Sequence, residues 1–472
     1  MKNRREITAV GGPHRRLTAA WTVPLLLLAA ACVPGTNGSA GTTPGDAAAT
    51  SLPDPANAGT VTLTVWDQQV RGGQNSAVER LNKEFEKKYP NVTIKRVARS
   101  FNDLKKTLKL ALSGDNPPDV VQANQGHSDM VAFANAGMLA PLDTYAGLYG
   151  WNTRFPQTLL NLNRVSADGS KFGTGRLYGV SQEGEYIGIY YNKDVLRRAN
   201  VEQPKTWEGF TAALAQLKKA GQLPVQFGNL DKYPAIHTFG VLQSQEAKSA
   251  QPVRDTVLGS GAGFGEETRG AARTFADWAN KGYVPRGANG KGYDDAAKQF
   301  ADGKGAFLIT GTWLLADLRK SMGDNLGFMP PPPAAGRQLV TTGGEGLPWS
   351  ITSKSDHPDV AAAYLDFLSG VHASEVMMQE GVLPVVPPTG SERKAGSETA
   401  ADQVVKGWQD LNAADGLVPY LDLTTPTFYD TLSADLQNLI SGDLPPGQFV
   451  ERMQMEYDDF SAQQREDEGG AE

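Results

Sequence analysis

The chain has 472 residues, a formal net charge of −7 and a single cysteine. The acidic balance argues against nucleic acid and anionic lipid surfaces as partners, since both need a cationic footprint, and one cysteine excludes a disulfide framework. A chain this long exceeds the size at which one core keeps growing, so two lobes are expected.

Lys2, Arg4, Arg5, Arg15 and Arg16 form a basic start, and residues 17–31 are almost wholly apolar. The run is shorter than the roughly 20 apolar residues that cross a bilayer, so it reads as a signal peptide. Ala29, Ala30 and Ala31 then precede Cys32, an arrangement that resembles the bacterial lipobox, with Ala29 where leucine is usual. The resemblance implies cleavage before Cys32 and acylation of its thiol. An ordinary secretory signal cut nearby would instead leave Cys32 a free thiol. Residues 1–31 are thus the signal peptide. Residues 32–59, rich in Gly, Ser, Thr and Pro, read as a flexible tether. Because residues 1–31 carry five basic groups against Glu6, the remainder has a net charge of −11. No second apolar run is long enough to span a membrane.

In chain order, Val61, Leu63 and Val65 alternate with Thr62 and Thr64, a period-two strand that ends at Trp66. Val78, Leu81, Phe85 and Tyr89 then recur at helical spacing, with Asn75 or Ser76 as the cap and Pro90 as the stop. A second strand (NVTIKRV), a second helix ending at Gly114, a third strand (PPDVVQAN) and a short helix (MVAFANAGML) follow. Such alternation predicts an α/β lobe with a largely parallel sheet. Ligands of such sheets sit beyond the carboxyl ends of the strands. Those ends carry Trp66, Asp67 and Gln68, then Asn124 and Gln125. Further on come the strand EYIGIYYNKD, a helix with Phe210, Leu214 and Leu217 on one face, and a helix that opens near Pro358.

The segments SGDNPPDVV, EYIGIYYNKDVL, PKTWEGF, GKGAFLITGTW and HPDVAAAYLDFL, in this order, resemble the extracellular solute-binding proteins of bacterial ABC importers, the family that includes the maltose-binding protein. The resemblance covers nearly the whole chain after the tether. It implies a periplasmic-binding-protein fold, two α/β lobes joined by a hinge that the chain crosses three times, near 182–185, 309–313 and 373–376. The first lobe is then 60–182 and 313–374, the second 183–312 and 375–464, and 465–472 a disordered tail.

Carried over residue by residue, the resemblance gives Glu185 as a sugar-hydroxyl partner and Trp313 as a stacking platform. It adds Asp231 with Tyr233 in a loop of the second lobe, and Tyr429 at the start of a late helix. Gly344, Glu345 and Trp349 of TGGEGLPWS stand where the family approaches ligand with backbone. Aromatic faces with carboxylates and amides around them suit a pyranose, which has an apolar face and a rim of hydroxyls. Several aromatic residues suggest that more than one ring is held, hence an oligosaccharide. The resemblance further implies a monomeric, membrane-anchored protein that hands its ligand to the permease subunits of an importer.

Other classes fit less well. A glycoside hydrolase also needs two carboxyls in a cleft, but no spacing in the chain supplies such a pair. His127, His237, His357 and His372 are scattered without metal-ligand spacing, so no metal or cofactor is expected. GSGAGFG lacks the lysine of a phosphate loop, and no GxSxG elbow is present. A peptide or polyamine on the same fold is the alternative cargo.

Overall fold

The computed structural model describes residue 52, residues 54–388 and residues 399–469, all within the unit Pro44–Glu472. The signal peptide, Cys32 and most of the tether lie outside the described residues. The end of the tether is not free of the body. Pro55–Asn57 form a 3-10 turn with Pro55 buried, and Asn91 Nδ2 donates to the carbonyls of Pro55 and Gly59. The expected tail is also partly ordered, because the last helix, Pro446–Gly469, runs through it.

The first lobe is built on β1 (Val61–Asp67), β2 (Val92–Ala98) and β3 (Val120–Gln122), all parallel. In β1 the side chains of Val61, Leu63 and Val65 are buried and Thr62 is exposed, as period-two alternation requires. They share a core with Val78, Leu81 and Phe85 of the helix Gly72–Lys88. This helix starts earlier than its polar residues suggested, with Arg71 as the flanking residue and no side-chain cap. Glycine at 73 allows this first turn to pack closely: a Cβ on Gly73 would lie 2.3 Å from the carbonyl oxygen of Glu380. The second helix, Phe101–Ser113, is capped by Ser100, which accepts from the Asp103 amide at 3.2 Å.

A short antiparallel pair, β4 (Arg164–Val165) and β5 (Arg176–Leu177), precedes the second sheet. That sheet centres on β6 (Gly184–Asn192), all of whose residues are buried. It contains β7 (Val225–Gln226), β8 (Phe307–Gly311), β9 (Leu326–Met329) and β10 (Thr341–Glu345), with β8, β9 and β10 each antiparallel to β6. The chain then returns to the first sheet as β11 (Trp349–Ile351), antiparallel to β3, and closes the second with β12 (Leu417–Val418). The helix Trp207–Lys219 is capped by Thr206 and buries Phe210, Leu214 and Leu217 in this lobe. Each of those side chains contributes about 1.5–3 kcal/mol by leaving water.

The two-lobed α/β fold is therefore present, but two of the three crossings differ from expectation. The first is at 182–185. The second is not at 309–313, because β9 and β10 both pair with β6 and the chain leaves the second sheet only between Glu345 and Trp349. A strand as long as β6 offers edges to β8, β9 and β10, so the chain revisits it before crossing. The third falls at 381–385 rather than 373–376: the helix Val371–Glu380 still packs on Gly72–Lys88, and only the helix Ala400–Ala413 packs on β9. The crossings are hydrogen-bonded to one another. Gly346 N donates to Glu183 O (2.8 Å), Val385 N to Gln182 O (3.0 Å) and Gly184 N to Leu383 O (2.9 Å).

Candidate functional site

A cavity of about 80 Å³ lies between the two sheets against the hinge. The carboxyl ends of all three parallel strands feed it. Gln68, Arg71 and Gln74 follow β1, Phe101 follows β2 and Asn124 follows β3. From the hinge come Glu185 on β6 and Leu347. The second lobe supplies Tyr233, Ile236 and His237 from the helix Tyr233–Glu246, Trp313 after β8, and Tyr420, Asp422, Leu423 and Tyr429.

Trp313 is held from several sides. Its Nε1 donates to Tyr293 Oη (2.7 Å), and that hydroxyl shares a 2.6 Å hydrogen bond with Thr310 Oγ1. The indole meets the His237 ring edge-on at 5.2 Å, and a Cβ on Gly311 would lie 2.0 Å from its ring carbons. Glu185 accepts from Tyr420 Oη at 2.9 Å. Burial pushes its carboxyl up to about 7, with the nearby Asp422 adding to the rise and the Tyr420 bond opposing it. Asp422 is likewise raised by burial, to about 6. His237 is held neutral, its value lowered by burial to about 3, and its Nδ1 has no hydrogen-bond partner. Behind Glu185, Glu183 is raised by burial to about 8, although Gln74 and Gln69 donate to it at 2.8 and 3.2 Å.

Gln68, Asn124, Glu185, Tyr233, Trp313 and Tyr429 of the sequence-derived set line this cavity. The other members do not. Asp67 is fully buried in a bidentate ion pair with Arg96, Nε and Nη2 each at 2.7 Å, and caps the Gln69 amide. Trp66 lies under the Arg99 guanidinium, 4.3 Å from its ring centre. Gln125 donates to the Gly346 carbonyl (3.2 Å) and so braces the second crossing. Asp231 accepts from the Tyr293 amide (2.8 Å) and caps the helix Tyr293–Ala301. Glu345 accepts from Asn163, Gly344 faces Leu162, and Trp349 is buried in the first lobe's core.

Arg71, Phe101, His237, Tyr420 and Asp422 line the cavity without having been anticipated. The strand-end rule that pointed to Gln68 extends naturally to Arg71 and Phe101. Asp422 sits in a short 3-10 stretch, Leu421–Leu423, and Tyr420 is the residue that precedes it, where no periodicity marks them. Among the described residues no group of three or more His, Cys, Asp and Glu is arranged to hold a metal.

The family model for bacterial extracellular solute-binding proteins matches residues 71–371. The chain belongs to this family. The solute-binding protein is 23% identical over 403 residues to an uncharacterised ABC transporter extracellular-binding protein of Pyrococcus horikoshii, covering 80% of this chain and 82% of that one. It is 22% identical over 330 residues to the multiple sugar-binding protein of Streptococcus mutans, covering 67% and 72%. The solved structure of a chitin oligosaccharide binding protein superposes with a TM-score of 0.72 at 22% identity, over 85% of this chain and 99% of the other, a likeness of fold. The family is one of extracytoplasmic binding proteins, so the chain is a transport-associated solute-binding protein and not an enzyme. Among the described residues no helix is long and apolar enough to cross a membrane.

Proposed function

We propose that this solute-binding protein captures a carbohydrate by closing its two lobes on it and delivers it to the permease subunits of an ABC importer, whose ATPase drives release. The observation that carries this reading is the cavity's composition. The indole of Trp313 and the rings of Tyr233, Tyr420 and Tyr429 surround the same space as the Glu185 and Asp422 carboxyls. Aromatic faces can cover the apolar side of a sugar ring while carboxylates accept from its hydroxyls. The names of the sugar-binding relatives point the same way. Lobe closure follows from having cavity residues on both sides of a hinge, because a ligand that touches both lobes favours the closed form.

Anchoring rests on the sequence: Cys32 after three alanines is the attachment point, and the protein works as a monomer held at the outer membrane surface of the cell by its acyl chains. Cys32→Ser releases the protein into the medium; a variant still membrane-bound in high salt refutes the anchor. The ligand class is tested by thermal denaturation with sugars, peptides and polyamines. A sugar at about one hundred times its Kd adds about 2.7 kcal/mol and raises the midpoint. A rise with peptide or polyamine and none with any sugar overturns the reading. Hydrolysis of a bound oligosaccharide that disappears in Glu185→Gln would move it to a glycosidase.

A further inference from the structure

The aromatic residues that suggested an oligosaccharide are used differently once the lobes are in place. Phe101, from the first lobe, sets its ring edge against Tyr233 (5.9 Å between centres) and Tyr429 (6.3 Å), both from the second. Tyr429 Oη also donates to Asn102 Oδ1 at 3.4 Å. Trp66 is taken by Arg99. These rings close the cleft on each other instead of lining a row of ring-sized subsites.

Two further contacts close it elsewhere. Arg71 Nη2, at the start of the first lobe's helix Gly72–Lys88, reaches Asp294 Oδ1 of the second lobe at 2.7 Å, and its guanidinium lies 5.0 Å over the Tyr293 ring. The pair stands at the rim, with the Arg71 side chain 19% exposed and Asp294 80%. Gly126, with φ 82°, packs its backbone on Leu423, where a Cβ would lie 2.7 Å from Leu423 Cβ. What remains is about 80 Å³. That is only about half of the ~150 Å³ that holds one benzene ring, so the lobes as they stand leave no room for a row of rings. Polar groups nonetheless converge on it from every wall: Gln68 and Asn124, Glu185 at the hinge, His237 and Asp422. That density suits one ring bearing a hydroxyl on nearly every carbon.

Resting on the carbohydrate reading, we propose that the closed site takes a monosaccharide, or at most a disaccharide, and that the ion pair between Arg71 and Asp294 is the rim wall that excludes longer chains. A third ring would have to displace this pair or part Phe101 from Tyr233 and Tyr429, and so would hold the lobes open.

The test is calorimetric titration of the intact protein with glucose, galactose, xylose and N-acetylglucosamine, each with its di-, tri- and tetrasaccharides. In the series that binds, the monosaccharide or disaccharide is expected to bind at least about tenfold more tightly than the trisaccharide. In Arg71→Ala that ratio should shrink at least about threefold as the wall is lost. A trisaccharide or tetrasaccharide that binds wild type as tightly as the shorter sugars overturns the size limit. An unchanged ratio in Arg71→Ala overturns the assignment of the wall. No response to any sugar, with a peptide or polyamine binding instead, overturns the carbohydrate reading itself.

Discussion

Replacing Trp313 with alanine removes the largest apolar face in the cavity wall. The ring is half-buried in the protein and held by its bond to Tyr293, by the edge of His237 and by the bare backbone at Gly311. It is therefore preorganised, and little of its binding contribution is lost to ordering. If a sugar ring covers about 60 Å² of the indole, the burial contributes about 1.5 kcal/mol at about 25 cal/mol per Å². Face-to-ring geometry adds about 0.5–1.5 kcal/mol. The expected loss of affinity is about 2–3 kcal/mol, roughly thirty- to a hundred-and-fifty-fold in Kd. Stability without ligand should fall less, by about 1–2 kcal/mol, since one neutral hydrogen bond and part of a ring's burial are lost. Trp313→Phe keeps a ring face and loses the N–H donor, so its affinity should lie much closer to wild type. The assays are calorimetric titration with the best-binding sugar and urea unfolding of the unliganded protein, on all three proteins. Equal affinity in Trp313→Ala and wild type would refute the reasoning. So would a loss of unliganded stability of about 3–5 kcal/mol, the signature of a core aromatic.

Asp67→Asn breaks a fully buried ion pair and leaves Arg96, itself only 11% exposed, without its partner; unfolding should show a loss of about 3–5 kcal/mol with sugar affinity unchanged in the fraction that is folded, and a selective loss of affinity would return Asp67 to the site. Burial raises Glu183 to about 8 and Glu185 to about 7 from an ordinary value of 4.5, so each binds its proton more tightly folded than unfolded. Their stabilisation is complete below that ordinary value and is lost as pH rises through 7 to 8. The buried His127 and His237 are neutral in the folded protein and lose only their remaining half-protonation in the unfolded chain above about pH 6.5, so they oppose this trend weakly. The unliganded protein should therefore melt at a lower temperature at about pH 8.5 than at about pH 6.5, and Glu183→Gln should reduce the difference; a midpoint that rises over this interval contradicts the assignment.

The first lobe was the more legible half of the sequence. Period-two alternation in 61–65 and the helical spacing of Val78, Leu81 and Phe85 are local signals, and each element that they define is present. The crossings were expected only through the family resemblance, and two of the three lie elsewhere. That β9 and β10 return to β6 is set by long-range pairing, which no local pattern encodes. The same limit applies to the site. Glu185 and Trp313 stand beside recognisable strands, whereas Asp67 and Asp231 look like ligand carboxylates in sequence but are engaged by Arg96 and by a helix start. Only a partner distant in the chain distinguishes the two cases.

The central claim, that sugar is captured by closure of two lobes, is tested most directly by small-angle scattering of the protein alone and saturated with its best-binding sugar. The cavity wall is drawn from both lobes across the hinge, so the radius of gyration should fall on saturation, with a midpoint at the calorimetric Kd. A radius that stays unchanged while sugar binds, or that falls only with a peptide or polyamine, would contradict the account.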